Sequence, residues 1–102
     1  MSDLPRKPRT PRSPKWPALS KRFLKGKVCA VCGRKVAVVA HHKKPFHLFP
    51  ELELEESNLI PLCEGRTVNC HLAVGHLFSY RSHNPNVEED AEVMRAKVKA
   101  RP

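Results

Sequence analysis

Four cysteines constrain this 102-residue chain more than any other feature. Cys29 and Cys32 have two residues between them and are followed by Gly33, while Cys63 and Cys70 come some thirty residues later. Two thiolates at that spacing can grip one tetrahedral ion, and the glycine allows the turn that aims backbone N–H groups at sulfur. Cys63 and Cys70 can supply the other two ligands, which would tie residues 29–32 to residues 63–70. The second pair has six intervening residues where a second knuckle would have two. Structural zinc is therefore expected at Cys29, Cys32, Cys63 and Cys70, with a mixed Cys/His site or disulfides as alternatives. Nothing in the first dozen residues resembles a secretion signal, which disfavours disulfides and suggests an intracellular protein. A core this small is marginal alone, so a metal staple has a clear purpose.

Between and around the cysteines the pattern is that of one small α+β unit. Pro17 can open a helix with Ala18, Leu19, Phe23 and Leu24 as its apolar positions and Gly26 at its end. Trp16, just before it, would cover part of the core. Residues 36–40 (VAVVA) read as a buried strand, and 59–62 (LIPL) as a second strand whose Pro61 confines it to a sheet edge. Residues 70–80 read as a helix, and its Gly75 implies close packing on the strands or on a metal. Asn86 with Glu89 forms an expected capping box for a last helix, with Val87, Ala91, Met94 and Val98 on one stripe. No apolar run approaches the ~20 residues of a membrane span.

The net charge of +9 is concentrated at one end. Residues 1–27 hold nine Lys/Arg against one acid, and the remainder is close to neutral. Pro5, Pro8, Pro11, Pro14 and Pro17 recur every three residues, and the first four are each followed by a cation: Arg6, Arg9, Arg12 and Lys15. Residues 1–17 are thus expected to form a disordered or extended basic arm, with the folded domain spanning 18–102. In polyproline II the four cations would form a stripe at ~9 Å intervals, suited to tracking phosphates. A solvated tail and a proline-recognition ligand are the alternatives. The excess of positive charge indicates a polyanionic partner, with nucleic acid first among them.

The histidines supply the chemistry. His41 and His42 stand at the end of the first strand, where adjacent side chains point to opposite faces. One imidazole can bind a metal while its neighbour acts as a base. Lys43 and Lys44 follow and would raise the local phosphate concentration. Asn58, His71 and His76 come later. His71 and His76 are five apart, about 140° around an α-helix, so both can reach one ion only if His71 sits off the regular path. His83, Arg81 and the acidic run Glu51, Glu53, Glu55, Glu56 read as solvated or structural, and His47 as a loop residue within reach of substrate.

CxxC, then HH-x2-P, then N-L-x2-LC, then CH is the order found in the HNH nucleases of the ββα-metal fold. Residues 16–90 resemble the small HNH endonucleases of phages and bacteria. That resemblance implies a small α+β, ββα-metal fold with a zinc knuckle and a metal-dependent DNA endonuclease activity. It implies that His41 and His71 are ligands of a divalent ion (Mg2+, Mn2+, Ni2+ or Zn2+), and that His76 is an additional one. It implies that His42 is the general base and that Asn58 holds the base in place across the loop. The alternatives are a zinc-knuckle module that binds nucleic acid without cutting it, and an accessory protein of phage DNA packaging.

Overall fold

A computed structural model describes residues 11–100. Its frame is helix α1 (Trp16–Leu24), strand β1 (Val38–His42), strand β2 (Leu59–Cys63), a single π turn (His71–Gly75) and helix α2 (Val87–Lys99). Two short 3-10 turns, Pro50–Leu52 and Glu56–Asn58, shape the loop between the strands. The strands pair antiparallel, with Val38 opposite Cys63 and His42 opposite Leu59. This is the small α+β, ββα-metal arrangement expected from the sequence. Among the described residues no helix is long and apolar enough to cross a membrane.

The first strand begins two residues later than the apolar run suggests. Val36 and Ala37 are exposed, and Ala37 has φ of 56°, a left-handed conformation that cannot continue a ladder. The strand instead runs on through His41 and His42, both buried. Helix α1 starts at Trp16, so Pro17 occupies its second position, and Phe23 is the residue it buries. Gly26 follows with φ of 73°, as a helix-ending glycine should.

The expected helix over 70–80 is not α-helical. Bonds that skip one extra residue make a single π turn over His71–Gly75. Asn69 initiates it, its Oδ1 accepting the Leu72 N–H at 2.9 Å. The turn ends because the Leu72 carbonyl accepts both the His76 N–H (3.3 Å) and the Phe78 N–H (2.9 Å), which bends the chain back. Leu77 and Phe78 consequently adopt φ of 51° and 68°. Left-handed conformations cost roughly 1 kcal/mol or more for residues with a Cβ.

Helix α2 forms as expected, but its capping differs. Asn86 makes no side-chain cap bond. The buried Asn84 does this work from two residues upstream: its Oδ1 accepts the Asn86 N–H, and its Nδ2 donates to Asp90 Oδ2 and to the Val74 carbonyl. One amide therefore joins the π turn to the start of α2. Val87 and Ala91 are buried as the stripe requires, whereas Met94 is exposed.

The core gathers Val31, Ile60, Leu62, Val87 and Ala91 around Cys29, Cys63 and Cys70. Among the described residues three of the ten buried apolar side chains are cysteines, so much of the interior is sulfur. Gly33 closes the knuckle with φ of 78°, its N–H donating to the Cys29 carbonyl at 3.0 Å.

Candidate functional site

Two clusters of donor atoms lie along the sheet. In the first, the sulfurs of Cys29, Cys32, Cys63 and Cys70 all lie within 4.8 Å of one another. None is paired in a disulfide, and Cys32 Sγ is 3.6 Å from Cys63 Sγ. The x6 spacing is no obstacle, because a short loop in which Gly65 N–H donates to the Val68 carbonyl folds Cys70 back under β2. Burial would raise the Cys29 thiol, but backbone hydrogen bonds at Cys32, Cys63 and Val31 outweigh it and bring the group to about 7. Burial and the adjacent sulfurs push the Cys70 thiol far upward. Four crowded sulfurs cannot all ionise unless a cation lies among them, and this donor set could hold a tetrahedral metal.

The second cluster is His41, His71 and His76, with one nitrogen of each again within 4.8 Å of the others. Their ring centroids are 4.7–5.0 Å apart, pairwise edge to face. The π turn resolves the five-residue spacing that an α-helix could not accommodate: closing over one extra residue, it brings His71 and His76 to the same side. His76 Nδ1 donates to the Ser82 carbonyl at 2.7 Å, so its Nε2 carries the lone pair. That atom faces His71 Nε2 at 3.2 Å. Glu64 Oε1 lies 3.5 Å from His71 Nδ1 without meeting hydrogen-bond geometry, and His71 Nδ1 and His41 Nε2 are both buried with no hydrogen-bond partner. Converging imidazole nitrogens and orphaned buried polar atoms are the features a divalent cation would satisfy. Burial, then the charges of His71 and His76, lower the His41 imidazole from 6.5 to about 3. Gly75 makes the approach possible, since a Cβ there would lie 3.1 Å from His41 Cε1 and from Leu62 Cδ1.

His42 is the neighbour on the strand. Its Nε2 is 3.0 Å from the Glu53 carbonyl, which can only accept, so Nε2 bears the proton and Nδ1 the lone pair. The Trp16 ring covers it at 4.5 Å. Burial lowers its pKa, so the neutral form prevails at neutral pH. Asn58 is buried and makes the cross-loop bonds: its Oδ1 accepts the Lys44 N–H at 2.9 Å and its Nδ2 donates to the Lys44 carbonyl at 3.1 Å. Its own carbonyl accepts the Lys43 N–H. Both strand ends next to His42 are thereby fixed.

Other expectations need correction. Glu53, assigned above to a solvated acidic face, is only 5% exposed. Its carboxylate accepts the Ser13 N–H through both oxygens (3.0 and 3.2 Å) and lies 3.8 Å from Arg12. No sequence signal separates it from Glu51, Glu55 and Glu56, which are exposed. Arg12 and Ser13, expected in a free arm, therefore pack on the domain, with the Arg12 guanidinium 4.2 Å over the Phe46 ring. Arg6 and Arg9 lie outside the described residues, and Lys15 is exposed ahead of α1. Lys43 does not face the histidine cluster: its ammonium pairs with Glu88 at 3.2 Å. Lys43, Lys44 and Asn58 border a cleft of about 560 Å³. The histidines border a separate cleft of about 360 Å³, rimmed by Arg12, Phe46, His47, Tyr80 and Arg81.

Residues 29–77, which contain both clusters, match the family model described as HNH endonuclease. No curated protein and no solved structure matches the chain.

Proposed function

Because this chain belongs, through residues 29–77, to the HNH family, we propose that it is a metal-dependent DNA endonuclease that hydrolyses phosphodiester bonds. The observation that carries this reading is the junction of His41, His71 and His76 beside a cleft, with His42 next to His41 on its strand. These three histidines would hold a divalent ion, and Cys29, Cys32, Cys63 and Cys70 a structural zinc. When bound, the ion at the histidines supplies a positive charge that stabilises the phosphate and the leaving oxygen.

The residues of the chain perform the rest. His42 donates Nε2–H to the Glu53 carbonyl and so presents Nδ1 to take a proton from water. Burial keeps the ring neutral and therefore able to accept it. The resulting hydroxide attacks phosphorus, and the P–O bond to the leaving strand breaks. Asn58, by clamping Lys44, fixes the loop that leaves the base. Arg12 and Arg81 on the rim would hold flanking phosphates, joined by Arg6, Arg9, Lys15 and Lys44 along the strand.

The test is to incubate the protein with supercoiled plasmid and Mg2+, Mn2+, Ni2+ or Zn2+. Nicking is expected, and His42→Ala should reduce it about 10²- to 10⁴-fold while retaining the fold. Equal cleavage by the variant would refute the assigned base. One observation favours a second reading, DNA binding without cleavage: Trp16 covers His42, leaving it 9% exposed. Tight DNA binding with no cleavage in any of these metals would select that reading.

A further inference from the structure

Phe78 is the most exposed large apolar side chain among the described residues, at 78%, and Leu77 and Tyr80 beside it are half exposed. Exposed apolar side chains that are neighbours, rather than scattered singly, mark an interaction surface. This one is also held in place: Leu77 and Phe78 both adopt left-handed backbone, which bulky residues avoid. The hydrogen bonds that enforce that conformation belong to the π turn. The Phe78 N–H and the His76 N–H share the Leu72 carbonyl, and the Ser79 N–H donates to the His76 carbonyl. Tyr80, whose hydroxyl donates to Glu64 at 2.9 Å, closes the loop with its ring 5.0 Å from His76. Phe78 is thus registered to the histidine cluster two residues away and points outward from a braced turn. Strain retained next to a cluster of converging donors is a signature of function.

We propose that Phe78 is a stacking wedge that inserts between bases of duplex DNA lying across the histidine cleft. The proposal rests on the reading that DNA is bound there. The surroundings favour nucleic acid over a protein partner. The cleft beside the turn is lined by the exposed cation Arg81, by Tyr80, and by Arg12, whose guanidinium rests on the Phe46 ring 3.8 Å from Glu53. Cations for phosphates and ring faces for bases are the two components that bind nucleic acid without a recognition helix. An apolar side chain entering a base step opens it and bends the duplex. The bend would press the backbone into the cleft, so the wedge would help deliver a phosphate to the histidines.

The test uses the full chain carrying His42→Ala, to prevent cutting, with Mg2+ present. Duplexes with 2-aminopurine placed at successive positions report unstacking by fluorescence. Binding should change the signal at least threefold at one or two adjacent positions. Phe78→Ala in that background should abolish the change and weaken binding about tenfold, whereas Phe78→Trp should keep both. Circular dichroism identical to the parent would show that each variant is folded, as an exposed position implies. An undiminished signal in Phe78→Ala, or no signal with the parent on any duplex, would overturn the wedge. Cleavage by the otherwise unmodified chain is measured separately. Cutting without a Phe78-dependent signal removes the wedge and leaves the nuclease. A Phe78-dependent signal without cutting in any metal removes the nuclease and leaves the wedge.

Discussion

The two ends of the β1–β2 ladder carry clusters of electron-pair donors arranged on opposite rules. At the Cys63 end four sulfurs face one another inside the core, three of their residues buried. At the His41 end three imidazoles converge beside a cleft and supply only three donors. A complete tetrahedral set that is mostly buried suits a structural ion, and an incomplete set with an open side suits an ion that must also meet a substrate. The two ends also differ in their support. The cysteines are themselves core side chains, so the core depends on them. The histidines are held from outside by the Ser82 carbonyl, Glu64 and the glycine against which His41 packs. One cluster should therefore govern stability and the other activity.

The largest expected effect tests that division directly. Cys63→Ser should leave the chain unfolded, because a structural zinc contributes about 10–16 kcal/mol, comparable to or above the whole stability of a domain. His71→Ala should retain the far-ultraviolet dichroism and a melting temperature within a few degrees, and lose cleavage. One zinc per chain by elemental analysis, lost in Cys63→Ser, is the companion measurement. If His71→Ala unfolds as readily as Cys63→Ser, the two clusters are not functionally distinct.

Asn58→Ala comes next. Removing a buried amide that both donates and accepts should cost about 1–3 kcal/mol of stability, and loosening the Lys44 backbone should reduce cleavage along with it. Loss of stability with unaltered turnover would detach Asn58 from the site.

Acid supplies a smaller and graded effect. Burial holds His41 and His42 in the neutral form, His41 down to about 3 from an ordinary 6.5. In the unfolded chain these rings bind protons below about 6.5. The stability of metal-free protein should therefore be full above that pH and fall steadily as the pH drops toward 3. Thermal melts between pH 7 and 4 measure it, and His41→Gln should flatten the slope.

Gly75→Ala is the mildest change. The new methyl would press on His41 and Leu62 at 3.1 Å, so the neighbours must shift by a few tenths of an ångström. Cleavage should fall a fewfold with little change in melting temperature. A larger loss of stability than of activity would show that Gly75 serves the core rather than the cluster.

The sequence was most informative where a pattern is local. Cys29-x2-Cys32-Gly33 specifies a knuckle by itself, and adjacent histidines on a strand must diverge. Asn58 was expected from the resemblance to bond across the loop, and its side chain makes two hydrogen bonds to the Lys44 backbone. Other features had no local signature. Glu53 sits in a row of alternating glutamates, and only the packing of Arg12, Ser13 and His42 singles it out. The link from Lys43 to Glu88 spans 45 residues, so no pattern near the strand could reveal it.

The spacing of His71 and His76 shows where the boundary falls. The sequence determined the residue types, their order, the knuckle, the charge gradient and the five-position spacing of these two rings. Helical periodicity then places the rings about 140° apart. Tertiary structure decided otherwise, by closing a π turn between Asn69 and Leu72 at one end and Asn84 at the other. The physical reason is that an isolated segment takes the best-bonded helix. A segment anchored at both ends takes the turn that its anchors and buried neighbours allow, and here that turn brings three imidazoles to one point.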